Sequence, residues 1–212
     1  MSKQLIIFDM DGTLINSGNI IANTINYVRT NCGLKAMDKQ ILLQNINNPN
    51  INSAKFFYNI EHFTPKHSQL FEEYYYKHHL EEIVLYKGIK HLLKTLSHNH
   101  LLTIATNANT KFAISMTKHL DIYKYFDYII GADKVQYPKP NPDMILKIID
   151  KYKYNLKNII LIGDSKKDML AAKKADINFI LVNWGFSKFD STQPNIVKSI
   201  EELKDIINKN SL

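Results

Sequence analysis

The alternation of short apolar runs with amphipathic stretches is the feature that most constrains the fold of this chain. The apolar runs are rich in branched residues and bounded by turn residues, as is typical of strands. They lie at residues 5–8, 101–106, 128–130, 159–162 and 179–182. Between them apolar residues recur at helical spacing, as at 89–96 and 144–152. Because strands without polar alternation are buried on both faces, we predict an α/β fold with a Rossmann-like parallel sheet and helices on both faces.

Residues 17–83 interrupt this alternation. They contain no convincing strand, many asparagines and helix-like pieces such as 68–80, with a loop at 47–52. We therefore predict a small helical cap domain at 17–83, inserted after the first strand. Residues 1–16 and 84–212 are predicted to form the catalytic core.

The single cysteine and the hydropathy pattern suggest a cellular setting. Cys32 alone excludes an intramolecular disulfide and a thiolate metal cluster, which favours a reducing compartment. The apolar run at 5–8 is too short for a secretory signal, and no stretch approaches the roughly 20 apolar residues of a membrane span. We expect a cytoplasmic protein without a membrane partner.

The formal charge of +7, from 27 Lys and Arg against 20 Asp and Glu, raises the question of nucleic-acid binding. The lysines are spread along helical segments, and no run of five or more basic residues occurs. We expect no nucleic-acid partner and only a weak attraction for anionic substrates. For the eight histidines, including the pairs 78–79 and 98–100, we expect surface roles rather than metal binding.

A first polar motif, F-D-M-D-G-T-L at 8–14, directly follows a predicted strand. Ligands of open α/β sheets bind beyond the carboxyl ends of strands, where Asp9 and Asp11 fall. One carboxylate can attack while the other handles protons, and Gly12 lets backbone N–H groups approach an anion. A capped turn remains an alternative. A calcium loop does not, because it needs a later glycine and acid at fixed spacing, which Asn16, Gly18 and Ile20 do not supply.

A second motif, I-G-D-S-K-K-D at 162–168, also ends a predicted strand and opens a helix. Asp164 and Asp168 lie one helical turn apart, so both can face one point. Clustered carboxylates repel each other unless a cation neutralises them, and Mg²⁺ is bound well by one or two carboxylates plus a phosphate. The alternative is that Asp164 caps the helix and Asp168 is a surface charge.

Two weaker motifs follow other strands. In A-T-N-A at 105–108, the hydroxyl of Thr106 and a loop N–H can hold phosphate oxygens, although a helix cap is the ordinary explanation. In Y-P-K-P-N-P-D at 137–143, prolines stiffen the backbone around Lys139, whose charge can neutralise a phosphoryl group. Alone, Lys139 would be read as an exposed lysine in a turn. Together the four motifs supply what phosphoryl transfer needs.

These motifs, in this order, resemble the haloacid dehalogenase superfamily, specifically its phosphoglycolate phosphatase-like branch. The matching stretches are D-M-D-G-T-L-I-N-S from Asp9, A-T-N-A, K-P-N-P-D-M from Lys139 and G-D-S-K-K-D-M-L-A-A from Gly163. Further matches, such as Y-K-G-I-K-H-L-L-K-T-L and V-N-W-G, extend the resemblance over nearly the whole chain. The resemblance implies a Mg²⁺-dependent phosphatase acting on a small phosphorylated metabolite.

The resemblance also implies roles for the site residues. Asp9 would form an aspartyl-phosphate, and Asp11 would protonate the leaving group, then activate water. The metal would be held by Asp9, by the backbone carbonyl of Asp11, by Asp164, and by Asp168 directly or through water. Gly12, Thr106, Asn107 and Lys139 would contact the phosphoryl group. The cap would close over the substrate, and the protein would be a monomer or weak homodimer.

Three departures from the family pattern bear on these expectations. Asn16 stands where many relatives have aspartate, Asp176 replaces a common glycine, and the cap lacks the usual glycine near 47–52. They leave the substrate open and are expected to affect the hinge, a turn and the cap. Two alternatives also remain: a sugar-phosphate mutase of the same fold, and a regulatory protein that binds phosphate without turnover.

Overall fold

The computed structural model describes residues 3–187, 189 and 196–209 of the chain. Its main sheet has six parallel strands in the order β5-β4-β1-β6-β7-β8, and β2 and β3 form a separate antiparallel pair. The strands are β1 (Leu5–Phe8), β2 (Ile15–Asn16), β3 (Val84–Leu85), β4 (Leu101–Thr106), β5 (Tyr128–Gly131), β6 (Ile159–Gly163), β7 (Asn178–Val182) and β8 (Ile196–Val197).

Nine α-helices are present in the described part of the chain. They are α1 (Gly18–Asn31), α2 (Lys39–Ile46), α3 (Ser53–Tyr58), α4 (Pro65–His78), α5 (Ile89–Leu96), α6 (Thr110–His119), α7 (Asp143–Tyr152), α8 (Lys166–Lys174) and α9 (Ile200–Lys209). The described residues also form short 3-10 helices at Tyr123–Tyr125, Ala132–Lys134 and Leu156–Asn158.

The sheet is packed on both faces because the two strands at its centre, β1 and β6, are apolar at every position. In β1, Ile6 and Phe8 point into a core shared with α5, α6 and α9, whereas Leu5 and Ile7 point into a core shared with α7 and α8. All four side chains are fully buried. This arrangement confirms the predicted α/β class with a Rossmann-like parallel sheet.

The four helices α1–α4, which we call the helical segment, lie between the short strands β2 and β3. These strands pair through Ile15 with Leu85 and Asn16 with Val84, so the chain leaves and re-enters the sheet region side by side. The departure at Asn16 therefore falls within this strand pair, while Asp176 lies in the turn after α8 with φ of 55°. The expected loop at 47–52 separates α2 from α3.

Local sequence signals explain where these helices begin. The side chain of Asp38 accepts hydrogen bonds from the backbone N–H groups at the start of α2, and that of Asn52 does so for α3. Pro65 occupies the first turn of α4, where its missing N–H costs nothing. The helical segment has its own apolar cluster, which includes Ile25 and Phe57.

Three of the histidines expected at the surface, His67, His79 and His100, are buried, so that expectation was wrong for them. His79 is 5% exposed, with Nδ1 3.0 Å from the carbonyl oxygen of Tyr75. His100 is also 5% exposed, and its Nδ1 accepts a hydrogen bond from the backbone N–H of Gln4. The imidazoles of His79 and His100 each pair with a backbone group inside the fold, and Nδ1 of His67 lies 2.7 Å from the hydroxyl oxygen of Thr64. Within the described residues, every helix is too short or too polar to cross a membrane.

Candidate active site

The carboxyl edge of the central strands gathers the predicted polar residues. Parallel pairing places the end of β1 beside both β4 and β6, with Phe8 opposite Ile104 and Ile162. Asp9 follows β1, Thr106 ends β4, and Asp164 follows β6. Because parallel strands end at one edge, residues more than 150 positions apart in the chain meet there.

Lys139 links the acidic residues at this edge. Its side chain is 2% exposed, and Nζ donates to Oδ1 of Asp9 at 2.7 Å, to Oδ1 of Asp168 at 2.6 Å and to the carbonyl oxygen of Ala105 at 2.7 Å. Burial disfavours the charge of Lys139, but the Asp168 and Asp9 carboxylates outweigh burial and raise its pKa. Lys139 therefore stays cationic at the centre of the site.

Three carboxylates cluster around this lysine. Oxygen atoms of Asp9, Asp164 and Asp168 lie within 4.8 Å of one another, and all three residues are buried. Burial, together with Asp168 and Asp11, raises the pKa of Asp9 to about 7, although Lys139 acts in the opposite direction. Burial and the charges of Asp9 and Asp168 also raise the pKa of Asp164 well above its usual range.

The cluster fits a divalent cation. One ammonium group faces three carboxylates, and hard cations prefer carboxylate oxygens. Asp164 Oδ2 accepts the backbone N–H of Phe186 at 2.8 Å, whereas its Oδ1 is buried without a hydrogen-bond partner. A buried carboxylate oxygen is costly to leave unpaired, so an ion at this position accounts for both the orphan atom and the surplus negative charge.

Asp11 lies apart from this cluster. Its Oδ1 accepts a hydrogen bond from the hydroxyl of Ser17 at 2.5 Å, and it lines the same cavity as Asp9. Burial raises the pKa of Asp11, against the opposing effects of Ser17, Lys139 and Thr106. A carboxyl group with a raised pKa can hold a proton near neutral pH and give it up during a reaction.

Gly12 serves the site through its missing side chain. Its φ is 89°, and a Cβ atom there would lie 2.4 Å from Oδ2 of Asp164. The N–H of Gly12, from which we expected phosphate binding, donates to the carbonyl of Ile15 at 2.8 Å. The glycine thus lets the loop after β1 approach Asp164.

Thr106 and Asn107 lie at the end of β4, on the side of Asp9 opposite to Asp164, and both line the cavity. The hydroxyl of Thr106 accepts the N–H of Ala108 at 3.1 Å, and the Asn107 amide donates to the carbonyl of Lys139 at 2.8 Å. The second contact ties the loop after β4 to the loop that carries Lys139. All predicted site residues except Gly12 and Asp164 therefore border one cavity.

The cavity has a volume of about 400 Å³ and lies between the sheet edge and the helical segment. Its floor is formed by Asp9, Asp11, Lys139 and Asp168, and its roof by side chains of α1–α4. A cleft of this size, with charged and polar groups gathered at the sheet edge and apolar side chains opposite them, is typical of a small-molecule site.

Comparison with known proteins identifies the family. The sequence model of the haloacid dehalogenase-like hydrolases matches residues 6–182, which is most of the chain. The chain belongs to this family. The resemblance stated from the motifs is thereby confirmed, and the protein is a hydrolase.

Relatives of this hydrolase cover nearly its whole length. A phosphoglycolate phosphatase from Yersinia pseudotuberculosis is 29% identical over 189 residues, covering 86% of this chain and 82% of the relative. A haloacid dehalogenase-like protein from Streptococcus pneumoniae has a TM-score of 0.82 at 27% identity, covering 96% of this chain and 98% of the other. A protein from Clostridium acetobutylicum, described as a predicted phosphatase, has a TM-score of 0.88 at 25% identity, covering 99% and 100%.

Several contacts of this haloacid dehalogenase-like site were not anticipated from the sequence. Ser165 donates to Oδ2 of Asp168 in a short hydrogen bond, and Thr13 donates to Oδ2 of Asp9 at 3.1 Å. Lys167 lines the cavity and donates to the carbonyl of Ile46 at 2.9 Å. Ser165 and Lys167 lie inside the I-G-D-S-K-K-D motif, so their place in the site could have been inferred from the sequence. Nothing in the sequence indicated that the backbone N–H of Phe186 would contact Asp164.

Proposed function

We propose that this hydrolase is a Mg²⁺-dependent phosphatase that hydrolyses a small phosphomonoester through an aspartyl-phosphate on Asp9. The observation that carries the proposal is the position of the Asp9 carboxylate. It is buried, held by Lys139 and adjacent to two further carboxylates, with Asp11 on the same cavity. The names of the relatives support phosphate-ester chemistry.

In the first half of the reaction, an oxygen of Asp9 attacks phosphorus, and the bond between phosphorus and the ester oxygen breaks. Asp11 gives its proton to the departing alkoxide. The raised pKa of Asp11 supports this role, because the residue must be protonated before the ester bond breaks. The alcohol leaves, and the phosphoryl group stays on Asp9.

In the second half, the Asp11 carboxylate takes a proton from water as the water oxygen attacks phosphorus. The bond between phosphorus and the Asp9 oxygen breaks, which releases inorganic phosphate and restores both acids to their starting states. Ser17, whose hydroxyl donates to Asp11, holds this carboxyl group in one orientation through both steps.

Asp9, Asp164 and Asp168, with the backbone carbonyl of Asp11, would hold the metal ion. When bound, Mg²⁺ neutralises the carboxylates and the phosphoryl oxygens, so that the two anions can approach each other. Lys139, whose Nζ donates to Oδ1 of Asp9, contributes a further positive charge next to the phosphoryl group. Thr106 and Asn107, together with the loop of Gly12, would orient the phosphoryl oxygens.

We also propose that residues 17–83 form the cap domain of a core made of 1–16 and 84–212. The pairing of β2 with β3 at the two junctions supports this division, as does the separate apolar cluster of the helical segment. The cap would exclude water from the phosphoryl group during the reaction.

The test is phosphate release from a panel of small phosphomonoesters, with Mg²⁺ or EDTA, by wild type and Asp9→Asn. We expect release in Mg²⁺ only, and a loss of at least about 10³-fold in kcat in Asp9→Asn. Asp176→Asn is the matched control, because Asp176 is an exposed carboxylate in the turn after α8 and should leave kcat unchanged.

Three results would overturn the proposal. Phosphate release that persists in Asp9→Asn would show that Asp9 is not the nucleophile. Equal release in EDTA would show that the reaction needs no metal ion. Isomerised phosphoester in place of inorganic phosphate would instead establish a mutase.

A further inference from the structure

Lys167 brings a positive charge to the roof of the cavity. The residue lies in the first turn of α8, directly before Asp168, and its side chain lines the cavity. Its Nζ donates to the carbonyl oxygen of Ile46, a roof residue, at 2.9 Å. The ammonium group therefore lies at the roof, although the residue belongs to a motif that forms the floor.

The contact with Ile46 also has a role in the fold. Ile46 is the last residue of α2, and the final carbonyl groups of a helix lack intrahelical partners and attract cations. An ammonium group has three N–H donors, however, and this contact uses one of them. Within the part of the chain that the structure describes, Lys167 makes no other hydrogen bond and no ion pair. Its remaining donors can therefore serve a bound ligand.

The other lysines at the cavity are matched by acids of the protein. Lys139 is held by two carboxylates of the floor. Lys111, whose Nζ lies 4.9 Å from the centre of the Phe112 ring, is 3.8 Å from the carboxylate of Glu72 at the mouth. Lys167 differs from both, because the nearest floor carboxylates are bonded to Lys139 and attract it only from further away.

The roof that this ammonium group contacts is lined by apolar side chains, among them Ile25, Phe57 and Phe71. A charge beside apolar groups is disfavoured unless an opposite charge pairs with it. An anion that reached Nζ of Lys167 would gain a charge-assisted hydrogen bond and would remove this imbalance. The substrate is the molecule that enters the cavity and can bring such an anion.

We propose that Lys167 selects phosphomonoesters whose leaving alcohol carries an anionic group, which its ammonium group binds. This inference rests on the proposed phosphatase function and assigns a residue to its substrate preference. The phosphoryl group must lie at Asp9, beside Lys139, so the anion at Lys167 is a second one on the leaving alcohol. Asn47, which follows Ile46 and also lines the cavity, adds an amide group at the same end.

Pairs of esters that differ only in charge test this assignment. The phosphate esters of glycolate, 3-hydroxypropanoate and 4-(hydroxymethyl)benzoate are each compared with the ester of the corresponding primary amide, which has the same shape. We expect kcat/KM for the carboxylate to exceed that for the amide by about tenfold or more in at least one pair, as one hydrogen bond between charged groups would give. Equal kcat/KM within every pair, or preference for the amides, would overturn the inference and leave the phosphatase proposal standing.

Substitutions at position 167 show whether this lysine is the cause. Lys167→Met should reduce the preference to about twofold or less, mainly by raising KM for the carboxylate esters. Lys167→Gln provides a second uncharged variant, and Lys167→Arg, which keeps the charge, should retain the preference. Lys166→Met, at the exposed neighbouring position, should leave it unchanged.

Turnover of the amide esters shows that each variant is folded. A preference for the carboxylates that survives in both Lys167→Met and Lys167→Gln would overturn the assignment. Equal losses for carboxylate and amide esters would also overturn it, because they would place Lys167 on the phosphoryl group that both esters share.

Calorimetry with the same esters and Asp9→Asn in Mg²⁺ separates this inference from the proposed function. If wild type hydrolyses none of the esters, the phosphatase proposal falls. Tighter binding of a carboxylate than of its amide, lost when Lys167→Met is added to Asp9→Asn, would still support the role of Lys167. Equal binding within every pair, or no binding of any ester, would overturn that role.

Discussion

The floor and the roof of the cavity differ in charge and in the part of the chain that forms them. The floor is charged and buried, and its residues Asp9, Lys139 and Asp168 are held by hydrogen bonds of 2.6–2.7 Å. The roof is apolar and comes from helices that carry no recognisable motif. Under the proposed function, the floor reacts with the phosphoryl group, whereas the roof would meet the variable part of the substrate. Apart from Lys167, chemistry and specificity would therefore be encoded in separate parts of the chain.

Lys139→Met should damage the floor most. It leaves the carboxylates of Asp9 and Asp168 without their shared cation, and removing one partner of a buried ion pair costs about 3–5 kcal/mol. We expect that loss of unfolding free energy in EDTA, measured by urea titration, and a decrease of about 10²–10³-fold in kcat. Lys94→Met, at an exposed position on α5, serves as control. Unchanged stability in EDTA would show that Lys139 does not hold the floor together.

The buried carboxyl group of Asp9 in the floor should also make the stability of the metal-free protein depend on pH. Asp9 has its pKa raised from 3.8 to about 7, so between these values the folded state keeps a proton that the unfolded state releases. The contribution of Asp9 to stability in EDTA should therefore be fully present below about pH 4 and be lost as pH rises to about 7, by a few kcal/mol at most. Asp9→Asn should flatten this dependence, and urea titrations at several pH values would measure it. A rise in stability over this range, attributable to Asp9, would contradict the account.

Gly12→Ala tests how closely the loop after β1 must approach Asp164. The new Cβ would lie 2.4 Å from an Asp164 oxygen, so we expect Mg²⁺ affinity to fall about tenfold or more. Gly33→Ala is a matched control, because Gly33 has φ of 78° but nothing within 4 Å of the added Cβ. Both variants should lose about 1–2 kcal/mol of stability from backbone strain. Calorimetry with Mg²⁺ should show reduced affinity in Gly12→Ala alone; an equal reduction in both would make strain the cause.

Lys167 joins the floor to the roof, and its removal should have the smallest effect. Its Nζ donates to the carbonyl of Ile46 at the end of α2, and burial lowers the pKa of the lysine. Lys167→Met removes the one hydrogen bond by which this lysine holds the end of α2 over the floor, so the roof should bind substrate less tightly. For an ester with an uncharged leaving alcohol, we expect KM to rise about two- to fivefold with little change in kcat, in line with the free energy of one hydrogen bond. Lys166→Met, at the exposed neighbouring position, should change neither constant. A larger effect on kcat than on KM would place Lys167 in the chemical step.

The floor was largely predictable from the sequence. The expected strands at 159–162 and 179–182 differ by one residue from Ile159–Gly163 and Asn178–Val182, because apolar runs flanked by turn residues mark their limits. Asp9, Asp164 and Lys139 were expected to meet because each follows a strand of one parallel sheet. Local patterns suffice when topology brings strand ends to a common edge.

The remaining features depend on packing that no local pattern encodes. The strand pair β2–β3 has two residues on each side and joins positions about 70 apart in the chain. His79 and His100 are buried because distant parts of the chain pack against them, as shown by the contacts of His79 with Ser115 and of His100 with the backbone N–H of Gln4. The same is true of the roof, where isoleucine and phenylalanine at helical spacing are equally consistent with a closed core and with a binding surface.

Trapping the phosphoryl group on Asp9 would test the central claim most directly. Asp11→Asn should be mixed with Mg²⁺ and para-nitrophenyl phosphate, whose leaving group departs without a proton but whose phosphoenzyme would then lack its general base. The mixture is quenched in acid, reduced with borohydride and digested for mass spectrometry. The account predicts that position 9 is converted to homoserine, the reduction product of an aspartyl-phosphate, and that Asp9→Asn shows no such product. Release of para-nitrophenol with an unmodified Asp9, or with homoserine at another aspartate, would contradict it.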